Sequence, residues 1–347
     1  MCAATCKLNP EKTGDAARKT ASPLRVFWPA DKGGSNMKDM DMVYAIYQYG
    51  SFSKAAAELY IGQSSLSMAI QRIENELGMP LFERKHHPIR LTAAGKAYIE
   101  YYHRVKPAEE NMLSFIRDLN SLKAGTFAIG GTHYLLSYIL QSTICRFARD
   151  YPGIDLRIME AQSSLFRDLL VDCKIDLCLM CHVDDPGLQS IGHAFYDDLF
   201  LAVPRACVEE CRLPGNYLTD DDIRIGGFAA YDHYFQTGQM EKLTFLQLTP
   251  GNNLNIRSEM IFQQLEHRPA KIIPIQQFAT AYHLASAGLG CTLTSAHLIQ
   301  GMKKDHLVFY TLPSSLMRRD FHFVTWKDAY VSKAVQEFCR LFSEQEP

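Results

Sequence analysis

Apolar residues recur at helical spacing over residues 63–77. Four of them fall at i, i+4, i+7 and i+11, which places them in one stripe along a helix: Leu66, Ile70, Ile73 and Leu77. Gly78 follows at once, and glycine is common just after a helix because it adopts left-handed backbone angles without strain. The pattern therefore predicts a helix from Gln63 to Leu77 with one buried side.

Two shorter patterns precede this helix. Residues 42–47 have helical spacing and end at Gly50. Ser53 is then a candidate N-cap for a short helix, in which Ala56, Ala57 and Leu59 can pack. Residues 60–62 follow as a turn. A short helix, a tight turn and a second helix are the parts of a helix-turn-helix motif.

After Gly78 the pattern changes to short extended segments and then to a long helix. Residues 79–91 are basic and predict a small hairpin, or wing, around residues 86–88. Thr92 is a candidate cap for a helix from Ala93 to about Leu122, which Pro107 should kink. A helix of this length is typical of a linker or a dimerising coiled coil.

The rest of the chain alternates between strand and helix patterns. Strands are predicted near residues 126–131, 154–161 and 175–183, with helices between them. A second region of similar texture runs from about 199 to 294, followed by two strands and a closing helix at about Ser332 to Phe342. This alternation implies parallel strands with right-handed crossovers, arranged as two α/β lobes.

The outward side of the helix at residues 63–77 is polar but poor in charge. Its side chains are Gln63, Ser64, Ser65, Ser67, Met68, Gln71, Arg72 and Asn75. A merely solvated face more often carries Glu and Lys pairs, whereas Gln, Ser, Asn and Arg hydrogen-bond to base edges and phosphates. The alternative is a small helical subdomain with a polar outer face, and the spacing alone does not separate the two.

Basic residues in the hairpin favour DNA. Arg84, Lys85 and Arg90 follow the helix in sequence, where a wing would contact phosphates. Residues 37–91 nevertheless hold six Lys or Arg and six Asp or Glu. The placement of the charges, rather than their sum, therefore favours nucleic-acid binding.

The segment GSFSKAAAELYIGQSSLSMAIQRIENELGMPLFERKHHPIRLTAAGKAY resembles the winged helix-turn-helix of LysR-type transcriptional regulators. GSFSKAAAEL, SSLSMAIQRIENELG, PLFER and LTAAG occur in the family's order and spacing. Later phrases, FARDYPGIDLRIMEA and ASAGLGCTLT, are similar to its effector domain. The resemblance implies an N-terminal all-α winged helix-turn-helix, a long linker helix and a two-lobed α/β effector domain like periplasmic binding proteins.

The resemblance also implies roles for particular residues. Lys54 matches a position that contacts the DNA backbone, and Arg84 and Arg90 match the wing. The positions that match the base-reading helix are Gln63, Ser64, Ser67, Met68, Gln71 and Arg72. The chain departs from the family pattern at Gly62, where Ser or Thr commonly caps, at Ser64, where Pro is frequent, and at Met68, where a polar residue is usual.

Loops after strands in both lobes are candidates for an effector pocket. Helix N-termini and strand carboxyl ends favour small ligands, anions included. The candidate residues are Thr132, His133, Tyr134, Ser163, Ser164, Thr249, Asn252, Gln277 and Phe278. Ordinary helix capping by Ser, Thr and Asn would explain several of them equally well. His133 could pair with a carboxylate or sense pH.

The predicted domains follow from these patterns. Residues 1–36 are expected to be a disordered extension, 37–91 the winged helix-turn-helix and 92–123 the linker helix. Effector lobe 1 is expected at 124–202, completed by 296–347, and lobe 2 at 203–295.

Length and composition indicate the compartment of the protein and the state of its thiols. The chain has 347 residues, a net charge of −2 and ten cysteines. Without a signal core or a long apolar run, we expect a cytoplasmic protein with reduced thiols and no membrane span. Cys178-Leu-Met-Cys181-His182 spells a haem-attachment pattern, but it lies on a strand with buried alternation, so we expect buried thiols. Cys207 and Cys211 could form a redox switch, although no residue makes either thiol obviously acidic.

The resulting hypothesis is a non-enzymatic, sequence-specific regulator of double-stranded DNA, controlled by a small-molecule effector and acting as a homodimer or tetramer. No catalytic constellation, metal site or cofactor is expected. The rival hypothesis is a solute-binding or enzymatic α/β protein whose N-terminal helices only pack.

Overall fold

The computed structural model describes residues 37–345 except 87, 120–124, 182, 225–234, 236, 303–305 and 313. The predicted disorder of residues 1–36 lies outside the described residues. The chain forms two compact units, which divide in sequence between Pro80 and Leu81. The hairpin at 82–91 therefore falls in the second unit.

The first unit contains three helices, α1 (Met37–Tyr49), α2 (Phe52–Glu58) and α3 (Gln63–Leu77). Its core is formed by apolar side chains with at most 4% of their surface exposed: Met40, Val43, Ile46, Ala55, Ala56, Leu66, Ile70 and Ile73. Helix α3 has the predicted bounds, and Gly78 ends it in a left-handed conformation at φ 67°. Leu77 was wrongly assigned to the buried stripe, because it lies at the open end of the helix and is 49% exposed.

The cap of α2 is Ser51 rather than the predicted Ser53. The hydroxyl of Ser51 accepts a hydrogen bond from the backbone N–H of Lys54, and Ser51 has extended backbone angles. The two serines lie two residues apart, so either could cap by composition, and the helix begins at Phe52. The turn before α3 holds Tyr60 at φ 55° with its side chain in solvent.

The hairpin and the long helix were predicted correctly at their starts. Strands β1 (Phe82–Glu83) and β2 (Arg90–Leu91) pair antiparallel, and α4 spans Ala93–Asp118. The hydroxyl of Thr92 accepts from the N–H of Gly95, as a helix cap does. A Cβ at Gly95 would lie 2.2 Å from the carbonyl oxygen of Leu81, so this close approach requires glycine.

Besides the β1–β2 hairpin, the second unit contains one seven-stranded sheet and one further two-stranded sheet within the described residues. Their strands are β3 (Gly125–Gly131), β4 (Ile154–Glu160), β5 (Leu177–Met180), β6 (Leu188–Pro204), β7 (Thr244–Leu248), β8 (Lys271–Ile275), β9 (Thr292–Ser295), β10 (Leu307–Tyr310) and β11 (Arg318–Trp326). The larger sheet has the order β10-β6-β11-β5-β3-β4, with β9 also paired to β6, and β7 pairs parallel to β8.

Helices cover these sheets. The remaining helices are α5 (Gln141–Asp150), α6 (Phe166–Val171), α7 (Arg205–Glu210), α8 (Asp220–Arg224), α9 (Asn253–Leu265), α10 (Phe278–Ser286), α11 (Ala296–Gly301) and α12 (Lys333–Ser343). A π-helical turn at Leu135–Ile139 precedes α5.

Strand β6 joins two lobes. Its first part, through Asp198, pairs with β11, and from Leu199 onward it pairs with β9 and β10. Strands β3, β4 and β5 belong to the first lobe, and β7 and β8 to the second. The predicted lobe 1 includes β10 and Leu199–Ala202, but β10 pairs with the second half of β6, and Leu199–Ala202 pair with β9. In the described part of the chain, none of the helices could cross a membrane.

Candidate functional site

Helix α3 exposes the polar face that the sequence predicts. Gln63, Ser64 and Gln71 are exposed and Ser67 is half-buried, whereas the stripe of Leu66, Ile70 and Ile73 faces the core. Met68 is 64% exposed on the same face. No side chain caps the N-terminus of α3 at Gly62. Its first backbone N–H groups are thus positioned to receive an anion.

Arg72 differs from the other residues of this face. Its guanidinium donates to Asp39 on α1 at 2.7 Å and to Glu76 one turn later at 3.0 Å. Hydrogen bonding to Asp39 is the largest cause that raises the pKa of Arg72. The side chain therefore ties α3 to α1, and it could reach a phosphate only by exchanging these partners.

The remaining basic candidates lie on solvent-facing elements. Lys54 is exposed in the first turn of α2. In the second unit, Arg84 is exposed in the turn of the hairpin and Arg90 on its second strand. All three side chains are exposed to solvent.

Eight of the nine effector candidates line a single cavity between the two lobes, with a volume of about 280 Å³. Thr132, His133 and Tyr134 follow β3, while Ser163 and Ser164 follow β4. Asn252, Gln277 and Phe278 line the cavity from the second lobe. Thr249 does not line it; its backbone N–H donates to the carbonyl of Ile275 and continues the pairing of β7 with β8.

A hydrogen bond crosses the cleft at its edge. The hydroxyl of Ser163 donates to the carbonyl of Gly251 at 3.3 Å. Gly251 has φ 96°, and a Cβ there would lie 2.5 Å from Oε1 of Gln162. The two lobes can approach this closely because the residue is glycine.

A buried ion pair forms the floor of the cleft. Asp197 on β6 and Arg319 on β11 face each other in the strand register, and the guanidinium of Arg319 donates to Asp197 Oδ2. Asp197 is fully buried and Arg319 is 4% exposed. The hydroxyl of Tyr134 donates to the same carboxylate at 3.1 Å. His297 Nδ1 lies 3.3 Å from Asp197 Oδ1.

The charges of this pair support each other. Burial acts to raise the pKa of Asp197, but the neighbouring Arg319 and His297 outweigh it, so this pKa lies below its ordinary value. Burial alone would lower the pKa of Arg319, yet the charge of Asp197 raises it. Burial is also the main cause that raises the pKa of Tyr134 far above its usual range. Tyr134 therefore remains a neutral hydrogen-bond donor.

Aromatic rings surround the guanidinium. The carbon Cζ of Arg319 lies 5.3 Å from the ring centre of Tyr134, 5.9 Å from that of Phe278 and 5.0 Å from that of Phe321. Contacts of this kind stabilise a cation that has left water.

Sequence reasoning missed Arg319 and Asp197. A signal was present, since Arg319 occupies the same phase of its strand as Phe321 and Phe323, whose side chains alternate into the core. An arginine in that phase needs a buried partner. The partner lies 122 residues earlier, and the sequence alone gave no register to identify it.

The cysteines of the two sequence patterns differ in how deeply they are buried. Cys178 is buried, and its burial strongly raises its pKa, whereas Cys181 lines the cleft; His182 lies outside the described residues. Burial also raises the pKa of Cys207, which makes that thiol less reactive. Among the described residues, no group of three His, Cys, Asp or Glu side chains could hold a metal ion.

Two family models match the chain. Residues 37–96 match the model of the bacterial regulatory helix-turn-helix proteins of the lysR family, and residues 120–220 and 222–347 match the LysR substrate binding domain. The chain belongs to the LysR family. It is accordingly a DNA-binding transcriptional regulator with an effector-binding domain, as the resemblance of its N-terminal motifs implied.

Curated relatives and solved structures agree with this assignment. The chain is 27% identical over 272 residues to the HTH-type transcriptional regulator CfxR of Cupriavidus necator, covering 76% of each chain. It is 23% identical to the uncharacterized HTH-type transcriptional regulator YcgK of Bacillus subtilis, covering 89% of this chain and 94% of YcgK.

The fold is that of full-length LysR-family structures. OxyR of Pseudomonas aeruginosa superposes with a TM-score of 0.61 at 16% identity, covering 90% of this chain and 95% of OxyR. CbnR in complex with its target DNA gives a TM-score of 0.53 at 17% identity, covering 90% of this chain and all of CbnR.

Proposed function

We propose that this LysR-family regulator reads its operator through the N-terminal half of α3 and responds to a small molecule held between the two effector lobes. The observation that carries the proposal is the exposed face of α3, where amides and hydroxyls stand clear of carboxylates. Along the helix the first acidic residue is Glu74, in the fourth turn. A duplex groove can therefore accept the first three turns without charge repulsion.

The base-reading roles belong to Gln63, Ser67 and Gln71. An amide can pair with the edge of adenine, a hydroxyl can pair with several bases, and the exposed Met68 offers apolar contact to a thymine methyl group. The uncapped N-terminus of α3 and the basic residues Lys54, Arg84 and Arg90 would contact phosphates and add affinity without sequence preference.

The test is a fluorescence-anisotropy titration with DNA from upstream of the regulator's own gene and with a scrambled duplex. Gln71→Ala or Ser67→Ala should reduce discrimination between the two duplexes by about 1–3 kcal/mol. Asn75→Ala is the matched control, because it removes an exposed amide from the last turn of the same helix. Arg90→Ala should weaken binding to both duplexes alike and lower the salt dependence of binding.

Unchanged discrimination in Gln71→Ala and Ser67→Ala would reject the assignment of α3 as the reading helix. Discrimination lost equally in Asn75→Ala would also count against the stated half of the helix.

Self-association is proposed through α4. Apolar side chains recur at i, i+3, i+4 and i+7 along its last turns, and each is about half exposed or more: Met112, Phe115, Ile116 and Leu119. Such a stripe is the seam of a coiled coil or helical dimer. A dimer would present two copies of α3 to two half-sites, which suits a homodimer or a tetramer.

The regulator is proposed to act without catalysis, in the cytoplasm, where the DNA is accessible. The named regulators among its relatives support this role. Effector binding would change how the lobes close and thereby alter the spacing of the two DNA-binding units.

A further inference from the structure

A β-bulge gathers four polar side chains on one side of the paired strands β6 and β11. In the strand register, Ser190 faces Val324 and His193 faces His322. Ser190 and His193 are three residues apart, so in a regular strand they would point to opposite sides. A register shift between these two pairs adds one residue to β6, and both side chains therefore lie on the same side. Asp320 lies there as well, because it is two residues from His322 on β11.

Three of these side chains form a row. Oγ of Ser190 lies 3.1 Å from Nδ1 of His322, and Nε2 of the same imidazole lies 3.3 Å from Oδ1 of Asp320. A carboxylate only accepts hydrogen bonds, so the neutral imidazole is expected to hold its hydrogen on Nε2. Nδ1 is then the acceptor, and the hydroxyl of Ser190 donates to it. A hydroxyl beside a base that a third group orients is the arrangement that activates a nucleophile.

A second imidazole shares the carboxylate. Nε2 of His193 lies 3.2 Å from the same oxygen, Oδ1 of Asp320. This oxygen has almost no exposed surface and makes no hydrogen bond within the described part of the chain. The two imidazoles thus compete for one acceptor at ion-pair distance. The contact with His322 can shorten when that imidazole takes up a proton, because charged donors form shorter hydrogen bonds.

The hydroxyl of Ser190 is open to small molecules from solvent. Ser190 is exposed, and the side chains of His193, Asp320 and His322 are between 31% and 47% exposed. None of these four residues lines the cavity between the lobes. A reagent can therefore reach the row without entering the effector cleft.

A serine assisted by a single imidazole needs an electrophile with a good leaving group. A thiol leaves readily, since the pKa of a free thiol lies near about 8.5, far below that of an alcohol. A small thioester also carries no negative charge at its reacting carbon, so the neighbouring carboxylate of Asp320 does not repel it. These two conditions favour a thioester over an ordinary ester or a charged acyl donor.

We propose that Ser190 is a modification site that accepts an acyl group from a small thioester. The oxygen of Ser190 attacks the carbonyl carbon while its proton passes to Nδ1 of His322. The carbon–sulfur bond then breaks, the sulfur leaves with the bonding electron pair and takes up the proton, and Ser190 keeps the acyl group as an ester. The reaction is stoichiometric, so it agrees with a regulator that acts without catalysis, and it does not depend on the proposed function.

The experiment incubates the full chain with S-acetyl-N-acetylcysteamine and locates acetyl groups by peptide mass spectrometry. The ester at Ser190 should form about tenfold faster or more than at Ser343. Ser343 is another exposed serine, but its hydroxyl donates to the backbone carbonyl of Cys339 instead of to an imidazole. Hydroxylamine should remove the ester but not acetyl groups on lysine. Equal rates at the two serines would overturn the proposal.

Variants of the neighbouring residues separate an activated serine from a merely exposed one. His322→Gln keeps a polar group beside Ser190 but takes up no proton, and should slow acetylation about tenfold or more. Asp320→Asn should also slow it, and Asp320→Glu should restore part of the rate, because a carboxylate stabilises the imidazolium. His193→Ala should leave the rate equal or higher, since it removes the competitor for Oδ1.

Urea unfolding checks that each variant is folded. An unchanged rate in His322→Gln overturns the proposal. A loss in His193→Ala as large as that in His322→Gln overturns it too, because the rate would then follow the integrity of the cluster rather than the base.

Discussion

Replacing Asp197 by asparagine removes the carboxylate that neutralises Arg319 while keeping the size of the side chain. Both residues are almost completely buried, and Arg319 has lost its water shell to aromatic rings. An asparagine can accept one hydrogen bond from Arg319 or Tyr134, but it carries no charge. The variant therefore leaves a buried, uncompensated cation in the floor of the cleft.

The expected cost is large because only one partner is removed. Breaking a buried ion pair in this way typically costs about 3–5 kcal/mol. At about 2–4 °C per kcal/mol for a unit of this size, Tm should fall by about 6–20 °C. Asp198→Asn is a near-ideal control, since Asp198 is the next residue on β6 and lies 3.6 Å from the exposed Arg318. Burial is the main cause that raises the pKa of Asp198, so its neutralisation should cost close to nothing.

The assay is urea unfolding followed by the fluorescence of Trp326, which lies in the second unit. Trp28 is the other of the two tryptophans in the sequence, so a Trp28→Phe background isolates the signal of Trp326. The pKa of Asp197 in the folded protein lies below its unfolded value of about 3.9. The ion pair consequently stabilises the fold above about pH 4, and its contribution is lost as the pH falls through the folded-state pKa.

Two results would refute this reasoning. A loss below about 1 kcal/mol at pH 7 would mean that Arg319 does not depend on Asp197. A difference between wild type and variant that persists unchanged below the folded-state pKa of Asp197 would mean that the charge of the carboxylate is not responsible. A double variant with Arg319→Met should lose less than the sum of the two single variants, because it leaves no lone charge.

Three further changes test the local geometry. Gly95→Ala should cost about 1–3 kcal/mol in the same assay because its Cβ would meet the Leu81 carbonyl at 2.2 Å, whereas Gly125→Ala, whose nearest neighbour is 3.5 Å away, should cost less. Gly78→Ala should lower the free energy of unfolding by about 1–2 kcal/mol, which faster hydrogen exchange of the α3 amides would show. Unchanged exchange would mean that the φ of this residue is not positive in solution. Ile116→Glu should shift the protein toward monomer in light scattering, and an unchanged mass would exclude the α4 stripe as the dimer seam.

Local patterns predicted the helices of the first unit and the start of α4 in the second unit. The bounds of α3 were predictable because an apolar stripe and a left-handed glycine both mark its end, and the start of α4 because Thr92 can cap it. The errors there are also local. Ser51 and Ser53 are chemically equivalent caps, and Leu77 fits the stripe but lies where the helix has no neighbour to cover it.

The cleft was predictable as a set of loops but not as a site. Loops after parallel strands gather at one edge of a sheet, which brought eight candidates together. The ion pair at its floor depends on the register between β6 and β11, and Thr249, which the sequence groups with the cleft, continues the pairing of β7 with β8 instead. Both features depend on pairing between residues that are far apart in the sequence. The periodicity of apolar residues along the chain does not reveal such pairing.

The continuity of β6 limits how the effector domain can move. Strand β6 is hydrogen-bonded into both lobes. Neither lobe can therefore rotate without twisting β6 between Asp198 and Leu199, where its pairing partner changes. The chain crosses between the lobes a second time, from β10 to β11, so a change in lobe angle has to deform both connections.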